Sequence, residues 1–242
     1  MSYVYESLIV LVWALVGLDD SFCELMKMTE WVVIVAYVSM VFIVDVYCKW
    51  EHTYKWEHLE SKKLPDDFAV TVLMNHLLHG LVMAGILIEA PAKFGLDTTT
   101  TETVGFIMYL IELAMCFLAY DVIFYNVHRF VLHNNGSLHK YHVKHHSMQA
   151  DFGLSGFYMH PLDMLLEIAI PLWAVLYLIK PHWLSSTVYL MLGALNSVYS
   201  HGGEHLPGMA SPKSHAMHHK YPSYNFGIGL CDYYCKTMWK LE

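Results

Sequence analysis

The sequence predicts an all-α fold: an integral-membrane helical bundle of four to six apolar segments that carries a cytosolic, histidine-rich metal-binding cap. Three observations predict it. The 242 residues are 56% hydrophobic and 15% charged, with a mean hydropathy of +0.36, whereas soluble domains carry about 25% charged residues. The apolar residues gather into long runs separated by polar stretches. Ten of the 17 histidines fall into two stretches that each follow directly on an apolar run.

The elements follow in order. Val4–Leu18 is apolar, bounded by Asp19 and Asp20, and short for a span, which needs about 20 residues. It lacks the basic region and small-residue cleavage site of a removable signal peptide, so it is expected to stay with the chain. Trp31–Cys48 is a clearer span with Trp31 and Trp50 at interface positions. A polar stretch, 49–67, precedes the third apolar run, Phe68–Ile88. Pro91–Glu102, with Gly95 and four consecutive threonines, reads as a loop. Thr103–Val127 is the fourth run and leads straight into His128. After a polar region to His160, Met164–Ile179 and Leu184–Tyr199 form a hairpin joined by Lys180-Pro181-His182-Trp183, and the second arm leads into His201. Residues 1–127 are thus expected to be transmembrane helices. Residues 128–242 form the histidine-rich region, including a membrane hairpin at 163–200, within one structural domain overall.

Topology permits a single site. An even number of crossings separates the two histidine stretches, so both lie on one side whether the hairpin spans or only dips. Lys and Arg concentrate on that side, but its segments are also longer, so the positive-inside rule adds only a slight cytosolic bias. A net charge of −8 without a basic, aromatic-laced patch excludes nucleic acid as a partner. The five scattered cysteines, Cys23, Cys48, Cys116, Cys231 and Cys235, form no CxxC and no disulfide framework. There is no G-x-S-x-G and no phosphate-binding glycine loop.

The histidines carry the chemistry. His128 and His133 are followed by His142, His145 and His146; His201 and His205 are followed by His215, His218 and His219. Residues i, i+3 and i+4 share a helix face, which fits 142/145/146, 215/218/219 and the pair 201/205. His128 and His133, five apart, would diverge by roughly 140° on an α-helix, so a helix end or a distortion is expected between them. Imidazole suits iron, zinc and copper. Ten ligands exceed one ion's need, since four suffice for zinc, and suit two ions with open positions for oxygen. An all-nitrogen shell on a redox-capable pair points to two Fe ions, with Zn able to occupy the site in a purified sample. Metal transport or sensing is the rival reading. Transporter sites lie near the bilayer midplane, however, and these histidines cluster beyond the ends of apolar runs.

The motifs His128-Arg129…His133, His142-Val143-Lys144-His145-His146, Tyr158-Met159-His160-Pro161-Leu162-Asp163, His201-Gly202-Gly203-Glu204-His205-Leu206-Pro207, His215-Ala216-Met217-His218-His219 and Asn225-Phe226-Gly227 resemble those of the fatty acid hydroxylase/sterol desaturase superfamily of membrane di-iron enzymes, over about Asp121 to Trp239. The resemblance implies O2-dependent chemistry on a C–H bond of a membrane lipid (a sterol, sphingoid or fatty acyl substrate), giving a hydroxylated product or, with the same metal site, a desaturated one. It implies electrons from cytochrome b5 or an equivalent donor. No such domain is fused to this sequence, so the donor is expected to be a separate protein. In a eukaryote the expected location is the endoplasmic reticulum membrane. Phe152-Gly153-Leu154 with His160-Pro161-Leu162-Asp163 looks like sterol C4-methyl oxidases, while His201…Gly208 looks more like sphinganine C4-hydroxylases. The tail departs from the family pattern: Cys231-Asp232-Tyr233-Tyr234 runs through Cys235 to Lys236-Thr237 in place of the usual Gly-Thr.

Outside the ten ligands, Asp121 shares a helix face with Tyr125 and His128 and could accept the second ring N–H of a ligand histidine. His160, before Pro161, is expected in an extended or turn conformation beside the site. His139, three residues before His142, is a further supporting candidate. His76 and His79, an i, i+3 pair in the third run, read best as satisfied by helix partners. Asp45, Glu112 and Glu167 lie in or near spans, where charge is costly, and the sequence leaves their purpose open.

Overall fold

The computed structural model describes residues 64–79, 106–134, 136–148, 153–202 and 211–239. Every regular element among them is helical. The expected segments at 4–18 and 31–48, the end of 68–88, Asp45 and His205 lie outside the described residues.

Helix α1 is Phe68–His79. Helix α2, Phe106–Asn126, continues without a break into a π-helical turn, Val127–Leu132. Helix α3 is His139–His146, followed by a 3-10 turn at Gly153–Phe157. Helix α4, Pro161–Met164, passes through a second π turn, Leu165–Ala169, into α5, Ile170–Ile179. Lys180, in the left-handed region at φ 52°, ends it. Helices α6, Trp183–Gly202, α7, Pro212–Lys220, and α8, Leu230–Tyr234, complete the order.

Two of these helices, Ile107–Leu132 and Pro161–Ile179, are long and apolar enough to cross a membrane. The fourth apolar run therefore does not stop before His128: its helix carries His128 and ends at Leu132. The sixth run is helical over Trp183–Gly202, but Ser185, Ser186, Thr187, Asn196, Ser197 and Ser200 lower its hydropathy, and it is not among the two. On α2, Ile107, Leu110, Ile111, Met115, Leu118 and Val122 are exposed, as lipid-facing residues are in a membrane helix.

The core lies between α2, α5 and α6, where Cys116, Tyr120, Leu172, Val175, Leu176 and Tyr189 are buried together. Glu112 fixes the hairpin tip. Its carboxylate accepts the Ser185 hydroxyl at 2.5 Å and the His182 backbone N–H at 3.2 Å, which explains a charge near this end of a span. A second cluster, Phe68, Val72, Phe157, Tyr158 and Val198, packs α1 and the 3-10 turn on α6. Asn75 secures that turn by donating to the carbonyls of Phe157 and Met159 at 2.9 and 2.7 Å. His76 and His79 lie against Phe157, and His76 Nδ1 is 2.8 Å from the Val72 carbonyl, in keeping with helix partners.

Helix α3 is clasped to α1 from outside. Lys144 donates to Asp67 at 2.7 Å, Tyr158 donates to the other Asp67 oxygen at 2.8 Å, and the Lys144 ammonium lies over the Tyr158 ring. These partners hold the Asp67 carboxyl down at about 2. Exposed ion pairs contribute little stability, so the clasp fixes position more than it adds energy.

Gly156 is where the 3-10 turn meets α6. A Cβ there would sit 2.8 Å from both His201 Nδ1 and the Ser197 carbonyl, closer than packed atoms approach. Gly156→Ala is expected to destabilise the protein by about 1–3 kcal/mol through overpacking. Gly136→Ala, where the nearest atom is at 3.8 Å, should be close to neutral in the same thermal-unfolding measurement. Equal melting temperatures for the two variants would refute this packing account.

Candidate metal centre

The first π turn, the short helices α3 and α7 and the end of α6 bring nine of the ten predicted histidines together. His128, His133, His142, His146 and His218 form one group, and His145, His201, His215 and His219 a second. Within each group one nitrogen per ring lies within 4.8 Å of every other. The tenth, His205, lies outside the described residues.

The first π turn resolves the His128–His133 spacing. The His133 backbone N–H donates to the His128 carbonyl at 2.9 Å, an i→i+5 bond that sets residue i+5 nearly above residue i. The ring centroids are 4.8 Å apart. The expected distortion is present, and it is a wider turn rather than a helix end.

The two HX2HH motifs are not one facial set each. His142 and His146, at i and i+4, share the first group, while His145 belongs to the second. On α7, His215 and His219 share the second group and His218 belongs to the first. At about 100° per residue, i+4 lies 40° from i whereas i+3 lies 60° away on the other side. Each motif therefore straddles the two groups and ties them together.

The ring protons decide the chemistry. A neutral imidazole has one N–H, and a carbonyl or carboxylate oxygen can only accept. His128 Nδ1 is 2.6 Å from the Phe226 carbonyl, and His218 Nδ1 is 2.6 Å from that of Tyr224. His219 Nδ1 is 2.8 Å from the Met148 carbonyl, and His201 Nδ1 is 3.0 Å from that of Ser197. His142 Nδ1 is 3.1 Å from both oxygens of Asp163. The neutral rings among these, His128, His201, His218 and His219, carry their proton on Nδ1, so their Nε2 is a bare lone pair. Yet Nε2 of His142 lies 3.1 Å from Nε2 of His128 and 3.0 Å from those of His133 and His146. In the second group, Nε2 of His215 lies 3.0 Å from that of His201 and 3.1 Å from that of His219. Nitrogens this close need a shared proton or a positive centre between them, and a metal ion would satisfy all the rings of a group at once. Both nitrogens of the buried His145 are without a hydrogen bond among the described residues.

The spacing fits metal ligation. Nitrogens about 2.1 Å from one ion are about 3.0 Å apart at a right angle and about 3.4 Å apart in a tetrahedron. The observed 3.0–3.1 Å matches the right angle, and with it more than four ligands. Burial, then the neighbouring imidazoles, push His145, His146, His215 and His218 well below the usual imidazole range, and bring His133 down to about 3. These rings are neutral near pH 7, as ligands must be. His142 is the exception. Burial acts to lower it, but the charges of Glu167 and Asp163 outweigh burial and raise it to about 10. Without a metal, this one ring holds the positive charge for which the site is built.

The supporting residues differ from expectation. Asp121 does not orient a histidine: its oxygens accept the backbone N–H groups of Ile228 and Cys231, each at 2.7 Å. It thereby anchors the segment whose Phe226 and Tyr224 carbonyls orient His128 and His218. Asp232 completes the bracket, accepting from Phe226 N, Gly227 N and the Thr237 hydroxyl. A Cβ on Gly227 would lie 2.6 Å from the Asp121 carboxylate, which accounts for the glycine of Asn225-Phe226-Gly227. Lys236, which departs from the family's glycine, sits at φ 59°, the conformation glycine adopts most freely. His160 is the N-cap of α4, its Nδ1 accepting from Leu162 N at 3.1 Å, and it lies on the Tyr141 ring. His139 Nδ1 is 2.8 Å from the Leu132 carbonyl and backs the end of the first π turn.

Asp163 and Glu167 are the residues that reading by motif missed. They are i, i+4 on the α4 face, both buried, and both within 3.3 Å of His142 Nδ1. Two acids at that spacing inside an apolar run were the available signal.

Comparison with known proteins agrees with this geometry. The fatty acid hydroxylase family model matches residues 113–237. The chain is 30% identical over 164 residues to the human fatty acid hydroxylase domain-containing protein 2, covering 67% of this chain and 49% of that one. It is 32% identical over 173 residues to the fatty acid hydroxylase ahd1 of Mycosarcoma maydis, covering 69% and 44%. It is 27% identical over 183 residues to the C-4 methylsterol oxidase erg25 of Schizosaccharomyces pombe, covering 68% and 60%. The chain spans about half the length of the first two relatives. No solved structure matches it.

Asp163→Asn is expected to weaken metal binding by about 10- to 100-fold, read by competition with a coloured chelator. In the metal-free chain the raised His142 pKa stabilises the fold fully below 6.5, and this contribution is lost as pH rises through about 10. In the variant the loss should move to lower pH. Unchanged metal affinity together with an unchanged pH profile of thermal unfolding would remove Asp163 from this role.

Proposed function

The chain belongs to the fatty acid hydroxylase family, and from that premise we propose that it is a membrane-bound di-iron enzyme that uses O2 to hydroxylate a C–H bond of a sterol, sphingoid or fatty acyl lipid. The observation that carries this is the set of inward-turned Nε2 nitrogens, 3.0–3.1 Å apart, in two adjoining groups. His128, His133, His142, His146 and His218 would hold one ion. His145, His201, His215 and His219 would hold the other, with His205 as its fifth ligand.

An iron pair in this setting supplies the redox chemistry that breaks an unactivated C–H bond, with electrons from cytochrome b5 or an equivalent donor. The protein's own residues supply position and access. The Phe226, Tyr224, Met148 and Ser197 carbonyls and the Asp163 carboxylate fix the ring orientations. A cleft reaches the second group, bounded by His145, His201 and His215 and by the apolar side chains of Tyr120, Phe124, Met159, Ile168 and Ile228. An acyl chain or sterol ring can lie against that wall with one carbon turned to the histidines, and the same wall keeps water away. The family resemblance implies an endoplasmic reticulum location in a eukaryote, with the site facing the cytosol, and the two apolar helices support a membrane location.

The full chain in detergent should bind close to two irons and consume O2 only with a reductant and an acceptable lipid. Mass spectrometry should show the product gaining oxygen, whereas loss of hydrogen alone would indicate desaturation. His145→Ala and His218→Ala remove a ligand from the second and first group respectively, and each should abolish turnover while the protein still inserts. Metal flux without lipid oxidation, or retained turnover in both variants, would defeat the proposal.

A further inference from the structure

Glu167 adds its charge beside His142, but Asp163 already orients that ring, which leaves the Glu167 side chain free for a second task. It is 4% exposed, in the second π turn and within an apolar span. Its Oε2 is 3.3 Å from His142 Nδ1, but that N–H already points between the two oxygens of Asp163, and Oε2 accepts no hydrogen bond. Its Oε1 lies 3.9 Å from His128 Nε2, a nitrogen turned to the first metal position. Glu167 also lines the cleft, as do Tyr120, Phe124, Ile168, His145 and His201. A buried carboxylate without a hydrogen bond is costly, and π turns concentrate at functional sites. A donor entering the cleft would satisfy it.

We propose that Glu167 is a substrate-contacting residue that accepts a hydrogen bond from a hydroxyl on the lipid, and so selects substrates in which that hydroxyl lies within a few bonds of the carbon to be oxidised. The proposal rests on the lipid-oxidising reading above. The geometry sets the short reach. A hydroxyl bonded to Glu167 sits about 2.7 Å from a carboxylate oxygen, and that carboxylate stands beside a metal-facing nitrogen. The carbons next to the hydroxyl are then the ones presented to the histidine groups, while the rest of the lipid runs along the apolar wall. The other polar residues of the cleft include Asn196 and Ser200. Among the cleft's polar residues Glu167 is the carboxyl group, buried and with one oxygen, Oε2, that accepts no hydrogen bond.

The test measures binding of two alcohols, cholestanol and octadecanol, and of their methyl ethers, which keep the shape and lose the O–H. The full metal-loaded chain is used, with displacement of a fluorescent lipid as the readout, so binding is scored apart from turnover. The wild-type chain should bind at least one alcohol about 10- to 100-fold more tightly than its ether, as expected for a hydrogen bond to a charged group. Glu167→Gln, whose amide oxygen still accepts, should keep much of that preference. Glu167→Leu should bind alcohol and ether alike, with ether affinity unchanged and metal content measured alongside. Product analysis should place new oxygen near the hydroxyl. Equal binding of alcohols and ethers by the wild-type chain, or binding of neither alcohol, overturns the proposal. So does a Glu167→Leu variant that weakens both partners equally or loses a metal ion, which would make Glu167 part of the metal site. An alcohol preference that depends on Glu167 in a protein that oxidises no lipid would defeat the enzymatic reading and leave the contact standing.

Discussion

A neutral imidazole has a single proton, and much of the cap follows from where that proton is held. Four neutral rings place it on Nδ1 against an oxygen that can only accept, and His142 turns its Nδ1 to Asp163 in the same way. In the four neutral rings the opposite nitrogen then has no proton to donate and can only present a lone pair. The oxygens come from widely separated parts of the chain: Asp163 at the start of α4, Met148 after α3, Ser197 near the end of α6, and Tyr224 and Phe226 beyond α7. The loops between the helices therefore have a definite duty, which is to deliver acceptors to the outer edges of the rings. The Asp121 and Asp232 carboxylates act one step further out, holding the backbone that delivers two of them.

Helix geometry supplies the rest. An α-helix cannot bring residues five apart onto one side, and the π turn at Val127–Leu132 does so by bonding His133 N to the His128 carbonyl. The HX2HH spacing has the opposite use. Its i and i+4 members aim at one point and its i+3 member at another, so α3 and α7 each give two rings to one group and one ring to the other. Displacing either helix disturbs both groups together, and the clasp of Lys144 on Asp67 and Tyr158 steadies α3 from outside. The two groups behave as one mechanical unit.

The histidines were legible because their spacing is set by local helix geometry, which periodicity reports directly. The need for a distortion between His128 and His133 was legible for the same reason, though not that it would be a π turn. The sharing of each HX2HH motif between two groups was implicit in the same angles. What sequence reasoning misplaced was the support. Asp121 lies on the face of His128, but its oxygens are taken by backbone N–H groups more than 100 residues away in sequence, and no local pattern encodes that pairing. Asp163 was quoted within a motif, yet attention went to its neighbour His160, which caps the helix that positions it. The count of four to six apolar segments reaches into residues outside the described ones, and two described helices meet the length and hydropathy of a span.

The placement of negative charge argues that the cap is more than a cage for cations. Neutral rings leave an ion's charge uncompensated, and near a membrane that charge must be balanced close at hand. Asp163 and Glu167 both stand beside His142, on the side of the first group, while the Nδ1 partners found for the second group are uncharged carbonyls. One carboxylate would suffice to orient His142, and Asp163 does so with both oxygens. The second carboxylate is therefore placed by something other than ring orientation, and it stands where the apolar wall of the cleft meets the histidines. A cleft that joins apolar side chains to a buried carboxyl group suits a lipid that carries a hydrogen-bonding hydroxyl.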